Sequence, residues 1–336
     1  MIITIVLATL LTFGLSVAIA PLILPWLRRL KFGQSILEIG PAWHKKKQGT
    51  PTAGGVIFIL PILLITMILG AASLFSNNYR LLYSLIFIIL CGGIGFTDDF
   101  IKIVRKHNQG LTVRQKTILL AGAITLYVAA MYFSGYISTE IFIPYFNVRL
   151  PLSYFYFVLI IPFIFFFVNS VNLTDGLDGL ATSVTLPYAV AFIFVALIFN
   201  SAGKGDIGIA ALAASTVGGL LAFLIFNFHP AKVFMGDTGS LFLGGVVVAL
   251  AMCYDMPYFI LLGGIVYLFE GLSVVLQVAY FKLTHGKRIF KMTPIHHHFE
   301  MCKWNEVKIV VIFTAVSALA CILALWGVVY AAVYYI

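Results

Sequence analysis

Ten long apolar runs decide what this chain can become. Hydrocarbon offers no partner for a backbone N–H or C=O, so a run of about 20 apolar residues crosses a bilayer as one helix. The runs lie at about 2–27, 53–73, 81–97, 116–134, 153–172, 181–200, 207–227, 240–255, 258–281 and 308–334 of 336 residues. With 62% hydrophobic and 10% charged residues, too little polar surface remains to wet a globule. The same composition excludes disorder, and an outer-membrane barrel would alternate polar and apolar residues instead. The expected fold is an all-α polytopic integral membrane protein with ten transmembrane helices, residues 1–336 forming a single transmembrane domain. The eighth run is short, and the ninth carries Glu270 at mid-length.

Charge sets the orientation. Ala18-Ile19-Ala20 resembles a signal-peptidase site, but no basic stretch precedes it and the apolar run continues past Pro21 to Leu27, so a retained helix is expected. Arg28, Arg29 and Lys31 follow this run, which puts residue 1 outside. Alternating the spans then leaves 18 of the 21 Lys and Arg residues in cytoplasmic loops; only Arg80, Arg149 and Lys204 fall outside. Both termini are therefore expected to be extracytoplasmic. The net charge of +9 reads as a topology signal rather than a nucleic-acid surface, and no nucleic-acid partner is expected. Cys91, Cys253, Cys302 and Cys321 form no C-x-x-C pair and read as packing residues. Residues 135–152 suggest a small hairpin on the outer side.

The chemistry gathers on the inner face. Asp98 and Asp99 follow the third span, Asp175 and Asp178 the fifth, and Asp237 lies between the seventh and eighth. A single aspartate at a helix end is commonly a cap. As a set these are different, because Gly92-Gly93-Ile94-Gly95-Phe96-Thr97-Asp98-Asp99, Asn172-Leu173-Thr174-Asp175-Gly176-Leu177-Asp178-Gly179 and Phe234-Met235-Gly236-Asp237-Thr238-Gly239-Ser240 all set aspartate beside glycine. Glycine lets backbone approach a ligand and leaves its amides exposed. Acids in an apolar setting need a compensating partner, and a divalent cation is the natural one. Asp98 and Asp99 would diverge by about 100° on a helix, whereas Asp175 and Asp178 would share a face.

Cations occupy the same loops: Lys45, Lys46 and Lys47 before Gly49-Thr50-Pro51-Thr52, then Lys102, Arg114 and Lys116, then Lys287, Arg288 and Lys291. Oxygen ligands for Mg²⁺ mixed with lysines are what a diphosphate requires. Neither a P-loop nor a dinucleotide fingerprint is present. In Pro294-Ile295-His296-His297-His298-Phe299-Glu300, consecutive histidines point about 100° apart on a helix, which disfavours zinc, while imidazoles as a class titrate near neutrality and can donate to phosphate oxygens. The competing expectation is that two of the three bond to nearby carbonyls. Glu270 and Gln277 would share a helix face, Glu270 in an interhelical bond. His44, His107, His229 and His285 receive no role. Gly218-Gly219 and Gly244-Gly245 read as close helix packing.

These stretches, with Lys47-Gln48-Gly49-Thr50-Pro51-Thr52-Ala53-Gly54-Gly55 and Asn227 through Ser240, resemble the phospho-N-acetylmuramoyl-pentapeptide transferase family of the polyprenyl-phosphate N-acetylhexosamine-1-phosphate transferases. The likeness covers essentially the whole chain. It implies a homodimer in the bacterial cytoplasmic membrane, with a cytoplasm-facing, Mg²⁺-dependent site. The implied reaction moves phospho-MurNAc-pentapeptide from UDP-MurNAc-pentapeptide to undecaprenyl phosphate, giving lipid I and UMP. Carried over by position, Asp237 is the implied metal ligand, Asp98 the base, and Asp99 a support for the metal or lipid head. Lys47, Asn172, Asp175, Asp178 and Phe234 are implied at the nucleotide pocket, Phe234 beside the uracil ring, and Thr52 is implied as a substrate contact. Lys102, Lys116, Asn227 and Gln277 are implied as polar substrate contacts. His296 and His297 are implied in the catalytic set near diphosphate or sugar, with His298 a further substrate contact. Ala53 departs from the family's usual methionine, an exchange expected to alter packing only. Two rivals compete with this assignment: a sibling transferase using UDP-GlcNAc, and a proton-coupled transporter, which would place acids near the membrane midplane.

Overall fold

The computed structural model describes residues 1–29, 47, 49–105 and 109–335. His44, Lys45, Lys46, Gln48 and His107 lie outside these residues. The described residues are mostly helical: α1 (Ile2–Arg29), α2 (Val56–Phe75), α3 (Arg80–Val104) and α4 (Val113–Phe133) precede a short hairpin. After it come α5 (Phe155–Thr174), α6 (Leu180–Ser201), α7 (Ile207–Asn227) and α8 (Gly236–Met252). The last quarter holds α9 (Pro257–Gly263), α10 (Ile265–Leu283), α11 (Ile295–Met301) and α12 (Glu306–Tyr335). Among the described residues, nine helices are long and apolar enough to cross a membrane, while α8, at 17 residues, is apolar but shorter. The chain is thus an all-α polytopic membrane protein. The hairpin expected in 135–152 is present as β1 (Glu140–Ile143) paired antiparallel with β2 (Val148–Pro151).

The centre of the bundle is α7 and α8. α1, α2 and α6 pack on α7, and α3 and α5 pack on α8. Small residues make this possible: a Cβ on Gly218 would sit 2.2 Å from the Thr9 carbonyl oxygen, and one on Gly244 2.9 Å from that of Val168. In an apolar solvent, such close approach supplies the dispersion contacts that the hydrophobic effect cannot. All four cysteines are free, and Cys91, Cys253 and Cys321 are buried, as packing residues should be.

Three boundaries differ from those read off hydropathy. α3 runs to Val104, so Asp98 and Asp99 lie on the helix rather than beyond it. α8 begins at Gly236, which brings Asp237 into its first turn. The run expected as one helix over 258–281 is divided at Gly264 into α9 and α10. A break between apolar helices leaves no trace in hydropathy, since both sides stay apolar. The turn after α5 also departs from expectation. Residues 175–179 are not helical, so Asp175 and Asp178 do not share a helix face.

Candidate active site

α3 carries the site on its last turns. Asp98 and Asp99 diverge there, as adjacent helical residues must. Asp98 turns toward the loop before α4, where its Oδ1 accepts the Leu111 amide at 2.7 Å, and its Oδ2 pairs with Lys102 Nζ, one helical turn on, at 2.6 Å. Asp99 turns toward α8. Its carboxylate accepts the Asp237 amide at 3.3 Å, the Thr238 amide at 2.9 Å and the Thr238 hydroxyl at 2.7 Å. Asp99 thus caps the start of α8 from a neighbouring helix, satisfying amides that have no partner within their own helix.

Glycine makes this contact possible. A Cβ on Gly95 would lie 2.0 Å from the Asp237 carbonyl oxygen, so α3 could not otherwise reach α8. Gly236 has φ +72, and a side chain there would meet Asp99 Oδ2 at 2.6 Å and Thr52 Oγ1 at 2.9 Å. The Thr52 segment is held by backbone bonds: the Phe234 amide donates to the Pro51 carbonyl at 2.8 Å, and the Gly54 and Gly55 amides donate to the carbonyls of Phe234 and Met235. The half-buried Phe234 is therefore fixed next to the start of α8. Ala53 is buried within this pairing, with φ +60.

Since Asp99 does the capping, the Asp237 carboxylate is free for other partners. Its Oδ2 pairs with Lys102 at 3.0 Å and Lys116 at 3.1 Å, and its Oδ1 accepts the Asn172 amide at 2.9 Å. Asn172 also donates to Ser240 Oγ. The carboxylates of Asp98, Asp99 and Asp237 offer oxygens that all lie within 4.8 Å of one another. Three carboxylates against two ammoniums leave one formal negative charge. Asp175, half-buried at the end of α5, adds another acid. Burial, and then the carboxylates of Asp237, Asp99 and Asp178, push its carboxyl well above the usual carboxylate range.

The histidine segment forms α11 and reaches this turn. His296 is fully buried, its Nδ1 2.9 Å from Glu270 Oε2, so Glu270 does make the interhelical contact expected of it. Among the described residues His296 Nε2 has no hydrogen-bond partner, and it lies against Gly176, where a Cβ would come within 2.2 Å of it. His297 Nδ1 pairs with Glu300 Oε2 at 2.6 Å. His298 Nδ1 accepts the Lys291 amide at 3.2 Å.

Two of the expected contact residues tie down loops through their side-chain amides. Asn227 accepts from Thr182 Oγ1 and donates to the Val233 carbonyl, which ties down the loop leading to α8. Gln277 Oε1 accepts the Ile289 and Phe290 amides, which ties down the loop after α10.

A second cluster adjoins the first. Lys47 pairs with Asp178 at 2.7 Å and with Glu306 of α12 at 2.5 Å, and His229 Nδ1 lies 3.1 Å from Asp178 Oδ2 and 3.2 Å from Glu306 Oε2. Neither Glu306 nor His229 had stood out in the sequence. The available signals were an acid opening a long apolar helix and a histidine inside the Asn227–Ser240 stretch.

The profile of glycosyl transferase family 4 matches residues 81–255, which include Asp98, Asp99, Asp175, Asp178 and Asp237. The chain is 44% identical over 322 residues to a phospho-N-acetylmuramoyl-pentapeptide-transferase of Clostridium botulinum (strain Alaska E43 / Type E3), covering 95% of each chain. It is 47% identical over 327 residues to the Clostridium perfringens (strain 13 / Type A) protein of that name, covering 95% of this chain and 97% of the relative. The likeness to the Staphylococcus carnosus (strain TM300) protein of that name is 44% over 319 residues, covering 94% and 97% respectively.

Proposed function

Because the chain belongs to glycosyl transferase family 4 and to the phospho-N-acetylmuramoyl-pentapeptide-transferases, we propose that it transfers phospho-MurNAc-pentapeptide from UDP-MurNAc-pentapeptide to undecaprenyl phosphate, releasing UMP and forming lipid I for peptidoglycan synthesis. The observation that carries this reading is the meeting of Asp98, Asp99 and Asp237 with Lys102 and Lys116 at the ends of apolar helices. An acceptor with a phosphate head and a long hydrocarbon tail needs a site at headgroup level, which such helix ends provide. The loop charges support ten spans, with α8 as the eighth and α9 and α10 together as the ninth, both termini outside and the site facing the cytoplasm. Residence in the bacterial cytoplasmic membrane and a homodimer belong to the same reading.

The donor set fits Mg²⁺, a hard cation that prefers carboxylate oxygen. Asp237 would be the principal ligand, supported by Asp99, whose oxygens already accept from Thr238. The bound ion would withdraw charge from the transferring phosphoryl group. Asp98 Oδ2, beside Lys102, takes the proton of the acceptor phosphate. An acceptor oxygen then attacks the sugar-bearing phosphorus in line, and the bond to UMP breaks with its electron pair leaving on UMP. Lys102 and Lys116 meet the charge that spreads over the equatorial oxygens. Lys47, Asn172, Asp175, Asp178 and Phe234 line the nucleotide side, Thr52 is a further substrate contact, and Asn227 and Gln277 shape the neighbouring loops. Glu270 fixes the His296 ring through Nδ1 and sets its Nε2 edge against the Gly176 turn, so that His296 and His297 stand on the diphosphate or sugar side of the site with His298 beside them.

The test is UMP release by purified protein supplied with undecaprenyl phosphate, Mg²⁺ and either UDP-MurNAc-pentapeptide or UDP-GlcNAc. Release is expected with the muramoyl donor alone, and EDTA should abolish it. Turnover of UDP-GlcNAc in place of the muramoyl donor would overturn the substrate assignment, and EDTA-resistant turnover would remove the metal.

A further inference from the structure

Glu306 opens α12 at the far end of the chain from Lys47, 259 residues away, yet its carboxylate touches three separate loops. Oε1 accepts from Lys47 Nζ, in the segment before α2, and from the Asp178 backbone amide, in the turn between α5 and α6, both at 2.5 Å. Oε2 lies 3.2 Å from His229 Nδ1, in the loop between α7 and α8. Asp178 faces the same groups: its carboxylate accepts from Lys47 Nζ at 2.7 Å and the Ala231 amide at 3.0 Å, and lies 3.1 Å from His229. Asp178 is 3% exposed and the Glu306 side chain 11%.

Asp178, His229 and Glu306 offer metal-type ligand atoms within 4.8 Å of one another. A cation is already supplied there by the chain itself, because the Lys47 ammonium bridges the two carboxylates. What the cluster does is mechanical. Glu306 sits in the first turn of a long helix, where the helix dipole favours its charge, and α12 is packed against α6, α9 and α10. It is the rigid member, and the groups it holds stand on loops.

We propose that Glu306, bridged to Asp178 by His229, is a positioning residue for the nucleotide half of the site, holding the Lys47 ammonium and the Asp178 turn in the register that receives the donor's uridine diphosphate. This rests on the transferase reading above and adds to it a residue remote from the reacting phosphorus. Charge-assisted hydrogen bonds in a largely buried setting are the strong kind, and losing one leaves its partner unpaired. The partners of Glu306 described above do not include Asp98, Lys102 or Asp237, so the effect should fall on donor binding and spare the acceptor.

Glu306→Gln tests this, because its amide oxygen at the Oε1 position can still accept from the Asp178 amide and Lys47 while the negative charge is lost and its NH₂ faces His229. Its KM for UDP-MurNAc-pentapeptide should rise about tenfold, the equivalent of about 1.4 kcal/mol, with kcat and the KM for undecaprenyl phosphate changed less than about twofold. UMP affinity measured by calorimetry should fall in parallel, and Glu306→Asp, which keeps the charge, should recover part of it. An unchanged donor KM, or equal rises for donor and acceptor, would overturn the proposal. Where Glu306→Gln fails to fold, His229→Asn carries the same test with the same criteria. A wild-type protein that binds UMP but turns over no muramoyl donor would defeat the reaction assigned above, while the calorimetric comparison would still judge the anchor.

Discussion

Asp206 and Asp237 each stand at the start of a long apolar helix at the centre of the bundle, and they are used in opposite ways. Asp206 caps its own helix, α7. Its Oδ1 accepts the Gly208 and Ile209 amides and the Ser73 hydroxyl, and its Oδ2 accepts from Asn78. Each of its oxygens is satisfied by a fixed donor, and the side chain is buried. Asp237 caps nothing. The first amides of α8 are taken by Asp99 from α3, so the Asp237 carboxylate meets two lysines and one amide, none of which belongs to its own helix. At the α7 start the charge is consumed by capping; at the α8 start the capping is delegated and the charge is directed at Lys102 and Lys116.

Asp237→Asn probes this division most severely. The amide preserves the shape of the first turn but removes the charge facing Lys102 and Lys116, so UMP release should fall by about 10³-fold, the scale of losing a preorganised electrostatic partner. The apparent Tm of the purified protein should stay at the wild-type value, since Asp99 and not Asp237 caps α8. Unfolding of the variant would show that Asp237 is structural after all, and near-normal turnover would deny it a part in the reaction.

Asp98→Asn comes next. The substituted amide would keep an oxygen for the Leu111 N–H, so the loop before α4 should hold its place. What is lost is a proton acceptor, worth about 10²- to 10⁴-fold in kcat. UMP affinity should not change, because Asp98 lies apart from the cluster around Lys47. Unaltered kcat would take the base away from Asp98.

The spans were legible because burial in lipid imposes one requirement on every residue of a run. The aspartates were legible as a set because glycine stood close to each of them. Residues whose meaning depends on a distant partner were not. Nothing local to Asp99 says that it will cap a helix 138 residues further along the chain. Glu306 and His229 carry no pattern of their own and acquire a role only when α12 and the loop after α7 meet Lys47. Asn227 and Gln277 look like ligand amides in a sequence, and nothing local says that each also ties down a loop. The division at Gly264 was hidden for the opposite reason, because the residues on both sides satisfy the same solvent.

Asp206 supplies the control at the other end of the bundle, with the smallest consequence. Asp206→Ala removes the acceptor for four buried or half-buried donors, of which two are α7 amides. The loss of a cap and of buried hydrogen bonds together suggests about 1–3 kcal/mol of destabilisation. It should appear as a lowered apparent Tm in detergent, with UMP release unchanged when assayed well below the transition. Asp206→Asn should restore most of the stability, since asparagine caps as well as aspartate and Asn78 can present its oxygen in place of its NH₂. At Asp237 the same Asp-to-Asn change should do the reverse, leaving stability intact and removing turnover. If Asp206→Asn also silenced a folded protein, charge would be needed at both ends of the bundle, and the α7 start would no longer count as structure alone.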